Sequence, residues 1–178
     1  MKRSFIFLMV FALLFASCEN LSKLTQFKMD FSESVTIQKS VPFDTPFSFF
    51  TPDIETDSES AFAINNTSKD LVEQIKLTQL KLTLKSPSDG DFGFLKSISI
   101  FVSAGSDLPE IKVAWKDNIP VTAGKELVLD VTDADLQEYI KKDSFKLKLN
   151  TVTRKILGSD HQIDLYTEFL VDVKVLGL

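Results

Sequence analysis

The stretch Ile75-Lys76-Leu77-Thr78-Gln79-Leu80-Lys81-Leu82-Thr83-Leu84-Lys85 decides the fold. Apolar and polar residues alternate through it, the period of a half-buried strand. Yet Ile75 and Leu77 fall on odd positions, whereas Leu80, Leu82 and Leu84 fall on even ones. The phase slips by one near Thr78-Gln79. A single extra residue that leaves both halves facing one core is a β-bulge, so the stretch reads as one long bulged strand with one wet face.

The same period recurs on both sides of it. Phe27, Met29 and Phe31 alternate with Lys28 and Asp30, and Val35 and Ile37 with Thr36 and Gln38, as one long strand or two joined at Ser32-Glu33-Ser34. Further strands are expected at Ala61–Asn65, at Ile98, Ile100 and Val102, at Ile111, Val113 and Trp115, and at Leu127, Leu129 and Val131. Phe145, Leu147 and Leu149 begin another, and Ile163, Leu165, Phe169, Val171, Val173 and Val175 complete the chain. Residues 41–53, VPFDTPFSFFTPD, contain Pro42, Pro46 and Pro52 and cannot lie in a central strand; they read as an edge or a crossing loop. Two helical segments are expected. Ser68–Glu73 makes one or two turns with Ser68 as cap, and Thr132–Lys142 makes about three turns, capped by Thr132 or Asp133, with Leu136, Tyr139 and Ile140 facing inward. Eight or nine short alternating strands with one or two short helices imply an all-β chain. Its architecture is an antiparallel β-sandwich of immunoglobulin-like or jelly-roll kind.

The chain opens differently. Lys2 and Arg3 precede an apolar run from Phe5 to Phe15, and Ala16-Ser17-Cys18 follow. A basic start, a short apolar run and small residues are the three parts of a secretory signal, and the run is shorter than the roughly 20 residues that span a bilayer. Phe15-Ala16-Ser17-Cys18 resembles the lipobox of bacterial lipoproteins, with Phe15 where that class usually has Leu. The resemblance covers about the first twenty residues. It implies that a diacylglyceryl group is attached to the Cys18 thiol, that cleavage falls just before it, and that the new amino group is acylated. Cys18 is the only cysteine, and a lone thiol outside the cytoplasm is otherwise a reactive liability. The expected organisation is a signal peptide at 1–17, a lipidated tether at 18–25 and a single sandwich domain at 26–178. One acyl chain anchors only marginally, whereas two or three hold stably.

Removing residues 1–17 from the 178-residue chain leaves 161, and takes away Lys2 and Arg3, so 18 basic residues face 25 acidic ones. That balance argues against nucleic acid as a partner and against docking on anionic lipid by charge. With 44% hydrophobic and 25% charged residues the composition is that of a folded domain. Without a second cysteine, packing must hold it together.

No catalytic or cofactor motif stands out. His161 is the only histidine and lies in a turn beside Ser159 and Asp160, where adjacent side chains diverge instead of converging as a triad does. Three acidic groups have the oxygen chemistry of calcium loops: Asp130 with Asp133, Asp135 and Glu138; Asp53 with Glu55, Asp57 and Glu59; and Asp89 with Asp91. None has the EF-hand spacing, and capping, solvation and turn chemistry account for them, so no metal site is assigned. Trp115 shares its phase with Ile111 and Val113, which places it in the core, and Tyr139 lies on the inner face of its helix. The Asn65-Asn66-Thr67-Ser68 sequons are incidental in a bacterial lipoprotein. Twelve of the 16 phenylalanines follow the signal, and most are in strand phase. The exceptions are Phe43, Phe47, Phe49 and Phe50. Phe49 and Phe50 are adjacent and must point opposite ways, so one needs a second apolar surface. These four form the candidate partner contact. The expected function is a non-catalytic binding or accessory subunit of the bacterial envelope. It would be lipid-anchored at the outer membrane through Cys18, needing no cofactor and meeting an envelope protein partner. A carbohydrate-binding module reading through Trp115 or Tyr166 is the alternative, ahead of a glycosidase or a lipid carrier.

Overall fold

The computed structural model of the protein describes residues 25–174. Cys18, the signal segment, Val175 and most of the tether lie outside the described residues. The strands are β1 (Gln26–Ile37), β2 (Phe47–Phe50), β3 (Ile54–Glu55), β4 (Val72–Ser86), β5 (Leu95–Ser103), β6 (Ile111–Lys116), β7 (Glu126–Val128), β8 (Asp130–Val131), β9 (Ser144–Thr153) and β10 (His161–Val173). Two helices, α1 (Ser58–Ile64) and α2 (Gln137–Ile140), fall between them.

They form an antiparallel sandwich. One sheet runs β1-β10-β4-β7; the other runs β2-β9-β5-β6-β8, with β3 also on β9. Its pairing is nested: β1 with β10, β2 with β9, β4 with β7 and β5 with β6. A long hairpin folded over itself pairs its strands in that way, which selects the jelly roll from the two sandwiches the pattern allowed. The count exceeds the expected eight or nine because the two-residue β3 and β8 add to the longer strands. β7 and β8 are one kinked segment that leaves the first sheet for the second at Leu129, whose N–H donates to Leu80 O (3.0 Å).

The bulge lies where the phase slip puts it. Gln79 stands opposite Glu168 and Leu77 opposite Phe169, so Thr78 is the extra residue, and Ile75, Leu77, Leu80, Leu82 and Leu84 all stay buried. The Thr78 hydroxyl donates to Glu168 O (3.0 Å) and to its carboxylate (2.9 Å), closing the gap in the ladder. Between the sheets, Phe31 of β1, Phe169 of β10 and Phe145 of β9 meet edge to face, with ring centroids 5.4 to 6.1 Å apart. At one end of the sandwich, Arg154 ties loops together by donating to the carbonyls of Gly93 (3.0 Å), Leu95 (2.9 Å) and Ile119. Gly93 is required there, because a Cβ would lie 2.2 Å from Val121 O.

Three expectations are corrected. Residues 61–65 are not a strand but the end of α1 and its C-cap Asn65: their main chain is satisfied locally (Ala61 N to Asp57 O, 2.9 Å), and Phe62 is buried in the core with Ala61 packed against it while Ile64 is exposed. The helix expected over Thr132–Lys142 shrinks to the single turn α2. Its forerunners are engaged across the sandwich instead. Thr132 N donates to Val113 O (2.9 Å), Leu136 N donates to Ile75 O (2.7 Å), and the Asp135 carboxylate accepts from Ile75 N (3.0 Å). Leu136, Tyr139 and Ile140 are buried, as their spacing implied. The expected turns at Ser68–Glu73 reduce to one 3₁₀ turn at Lys69–Leu71, where Ser68 holds the capping position without a side-chain hydrogen bond. Glu73 already belongs to β4.

Candidate functional site

The proline-punctuated segment forms an edge, as expected, and its four phenylalanines divide. β2 pairs with β9 over Phe47–Phe50 only. Phe47 and Phe49 turn inward onto the core and stack at 6.0 Å, whereas Phe50 points outward, and Phe43 and Phe50 are 51% and 56% exposed. Past β2, threonines replace the ladder. Thr51 N donates to Leu147 O (2.9 Å), and the Thr51 hydroxyl accepts from Leu147 N (3.0 Å). The Thr56 hydroxyl donates to Lys142 O (2.6 Å).

Phe50 heads a row across the outer face of the second sheet: it stands opposite Lys148, Lys148 opposite Phe101, and Phe101 opposite Lys112. Trp115 borders this row, correcting its expected place in the core. Between Ile100–Ala114 and Phe101–Lys112 the β6 register slips at Val113, so Val113 and Ala114 are both buried and Trp115 turns outward, half-buried. The Lys112 ammonium lies 4.9 Å from the Trp115 ring centroid and that of Lys148 lies 5.7 Å from Phe101, both within cation–π reach. Lys148 also pairs with Glu110 at 2.8 Å. Phe101 was not singled out from the sequence, although its phase against Ile98, Ile100 and Val102 is a signal of an outward side chain. The second slip was not legible, because Val113-Ala114 gives no polar mark.

On the opposite face, a shallow open cavity of about 500 Å³ crosses the first sheet, lined by Ser32, Ser34, Lys81, Thr83, Asp164 and Tyr166 among others. Ser34 donates to Asp164 (2.5 Å), and Asp164 also faces Lys85 at 3.6 Å. Desolvation by the sheet, then the nearby charges of Asp30 and Glu168, push the Tyr166 phenol above its ordinary pKa. Hydrogen bonds from Lys28 and Thr78 hold the Glu168 carboxyl below its own. Tyr166 and Trp115 therefore lie on opposite outer faces and cannot serve one ligand together.

The remaining candidates take other tasks. His161 is buried against Phe94 (4.4 Å between centroids), its Nδ1 is 2.9 Å from Ser159 O, and Asp160 turns away to accept from Lys39 N (2.8 Å). The acids disperse: Asp130 pairs with Lys116 (3.4 Å), Asp53 with Lys146 (3.2 Å) and Glu59 with Lys69 (3.4 Å), while Asp91 accepts from Gly93 N (2.9 Å). Among the described residues no three His, Cys, Asp or Glu side chains converge as metal ligands would. Among the described residues, no helix is long and apolar enough to cross a membrane.

No protein-family model matches the sequence, and no curated protein matches it significantly. Solved structures share only a distant likeness. The capsid of Helicobacter pylori bacteriophage KHP30 matches at 6% identity and a TM-score of 0.38, over 84% of this chain and 99% of that one. Turnip yellow mosaic virus matches at 13% identity and 0.31, over 86% and 96%. A protein named FLHE matches at 8% identity and 0.29, over 83% and 98%. Likenesses this remote say nothing of what the chain does.

Proposed function

We propose that the protein is a lipid-anchored, non-catalytic binding domain of the bacterial envelope, held at the outer membrane by acyl chains on Cys18 and meeting an envelope protein partner with its exposed face. The observation that carries this reading is how few residues separate Cys18 from the start of the fold in the sequence. β1 starts at Gln26, and Thr25 is already tied down, its hydroxyl donating to Asp172 (2.8 Å). Residues 18–25 then reach at most about 25 Å, so a lipid on Cys18 holds the sandwich against the membrane. Phe50, with Phe101 and Trp115 behind it and lysines between, supplies the apolar anchor and charged rim that protein interfaces use.

The test is the full chain expressed in a Gram-negative host, wild type beside Cys18→Ser. The wild type is expected in the membrane fraction with a mature N-terminus heavier than the peptide mass by its acyl groups. Cys18→Ser is expected to leave that fraction. A Cys18→Ser protein that stays wholly with membranes at the wild-type processed mass contradicts the reading.

The carbohydrate-binding alternative is supported by the hydroxyl-rich cavity around Tyr166. It requires that Tyr166→Ala abolish glycan-array binding while Trp115→Ala, on the far face, leaves it intact. Failure to bind any glycan removes it.

A further inference from the structure

The long open edge of the first sheet has chemistry of its own. β1 pairs with β10 through twelve consecutive residues, Gln26↔Asp172 to Ile37↔His161, without a single slip. Among the described residues no strand pairs with its other side. Thr25 O accepts from Val173 N (3.0 Å), and with the register unbroken the odd residues turn their main-chain groups toward β10. The N–H and C=O groups of Lys28, Asp30, Ser32 and Ser34 therefore point to the open side. Edges are commonly blunted by brevity, proline, a bulge or charge; β1 lacks the first three, and the charges it carries, Lys28, Asp30 and Glu33, are what a partner strand has to match.

We propose that this edge binds a second copy of itself, β1 against β1, antiparallel, with Met29 on the two-fold axis. In that register Lys28 faces Asp30 of the other copy on the outer side, twice per dimer, and Phe27 faces Phe31 on the inner side. Lys28 already pairs with Glu168 of its own copy at 3.0 Å, but its side chain is 62% exposed and its ammonium can be shared with Asp30 of the other copy; exposed Asp30 has no ion-pair partner among the described residues. The neighbouring centres from Lys28 to Glu33 are worse. Centring on Lys28, Asp30 or Glu33 sets a charge against its own copy, and centring on Phe31 or Ser32 sets Glu33 against Met29 or Phe31. An identical strand supplies both the missing charge and the matching aromatics, which makes the contact isologous and self-limiting. The product is one eight-stranded sheet spanning two sandwiches.

The test uses the full chain carrying Cys18→Ser, so that an introduced thiol is the only one. Directly opposed residues lie within disulfide reach, whereas Lys28 and its own copy are two positions out of step. Lys28→Cys mixed with Asp30→Cys is expected to cross-link under mild oxidation at least about tenfold more than either alone. Sedimentation supplies an independent readout. Asp30→Lys is expected to weaken the dimer about tenfold, and Lys28→Asp combined with Asp30→Lys in one chain to restore it. A protein that stays monomeric to about 100 µM, cross-linking no greater in the mixture, or indifference to Asp30→Lys overturns the proposal. So does a monomer whose β1 edge takes up an extended peptide of another protein.

Discussion

The two sheets end in contrasting edges. The second closes on the β2–β3 ribbon, where Pro46 and Pro52 bound a ladder of only four residues on β9, and the hydroxyls of Thr51 and Thr56 hold the chain to β9 and the residues before it past the end of that ladder. The first closes on β1, twelve residues long, unbroken and, among the described residues, with no strand taking up its outer hydrogen bonds. Both edges use phenylalanine as packing. On β1 the rings go wholly inward, leaving charge and hydroxyl outside; on the ribbon they are shared between the core and the outer face. A main-chain edge can therefore be sealed by sequence, at the expense of regular pairing, or left regular and available. This jelly roll does one on each sheet.

Substitutions can break that contrast. The largest effect is expected from Phe31→Ala, which empties the contact with Phe145 and Phe169 and lowers stability by about 3 kcal/mol in urea denaturation. Thr51→Val comes next at about 2 kcal/mol, because it leaves the buried Leu147 N–H without the oxygen that now accepts from it. Thr151→Val tests the converse. This buried hydroxyl, on β9 facing the ribbon, has no hydrogen-bond partner among the described residues, so its replacement is expected to be neutral or to raise stability by about 1 kcal/mol. Glu168 then gives a pH signature. Its carboxyl titrates below the ordinary value in the folded protein, so its contribution is complete above the unfolded pKa and lost as pH falls through the folded one. Between about pH 5 and 3, Glu168→Gln is expected to flatten the fall in thermal midpoint by the equivalent of about 0.5 kcal/mol. Phe50→Ser should change stability by no more than about 0.5 kcal/mol while weakening capture of a membrane partner, the reverse of Phe31→Ala.

How far the sequence led depended on whether a residue's neighbours mark its phase. In β4 the slip at Thr78-Gln79 puts two polar residues side by side between leucines, and the bulge was legible. In β6 the slip falls on Val113-Ala114, both apolar, and Trp115 was assigned to the wrong face. Helical patterns misled where main-chain groups had partners far along the chain. Asp135 looks like an acid opening a helix, yet it latches the loop to Ile75 of β4, 60 residues away. The nested strand order was not legible at all, since local alternation does not say which strands are neighbours. Of the candidate contact, the opposed Phe49 and Phe50 were foreseen; the lysines and Phe101 that extend the row come from other strands and needed the register.

Residue-resolved amide exchange along β1, measured at several protein concentrations, tests the open edge most directly. Met29 and Phe31, bonded to β10, are expected to exchange slowly throughout. Lys28, Asp30 and Ser32 are expected to exchange fast when dilute and to slow as concentration rises and a second copy takes up their hydrogen bonds. Equal protection of odd and even residues at every dilution, or even residues that stay fast at every concentration, would contradict it.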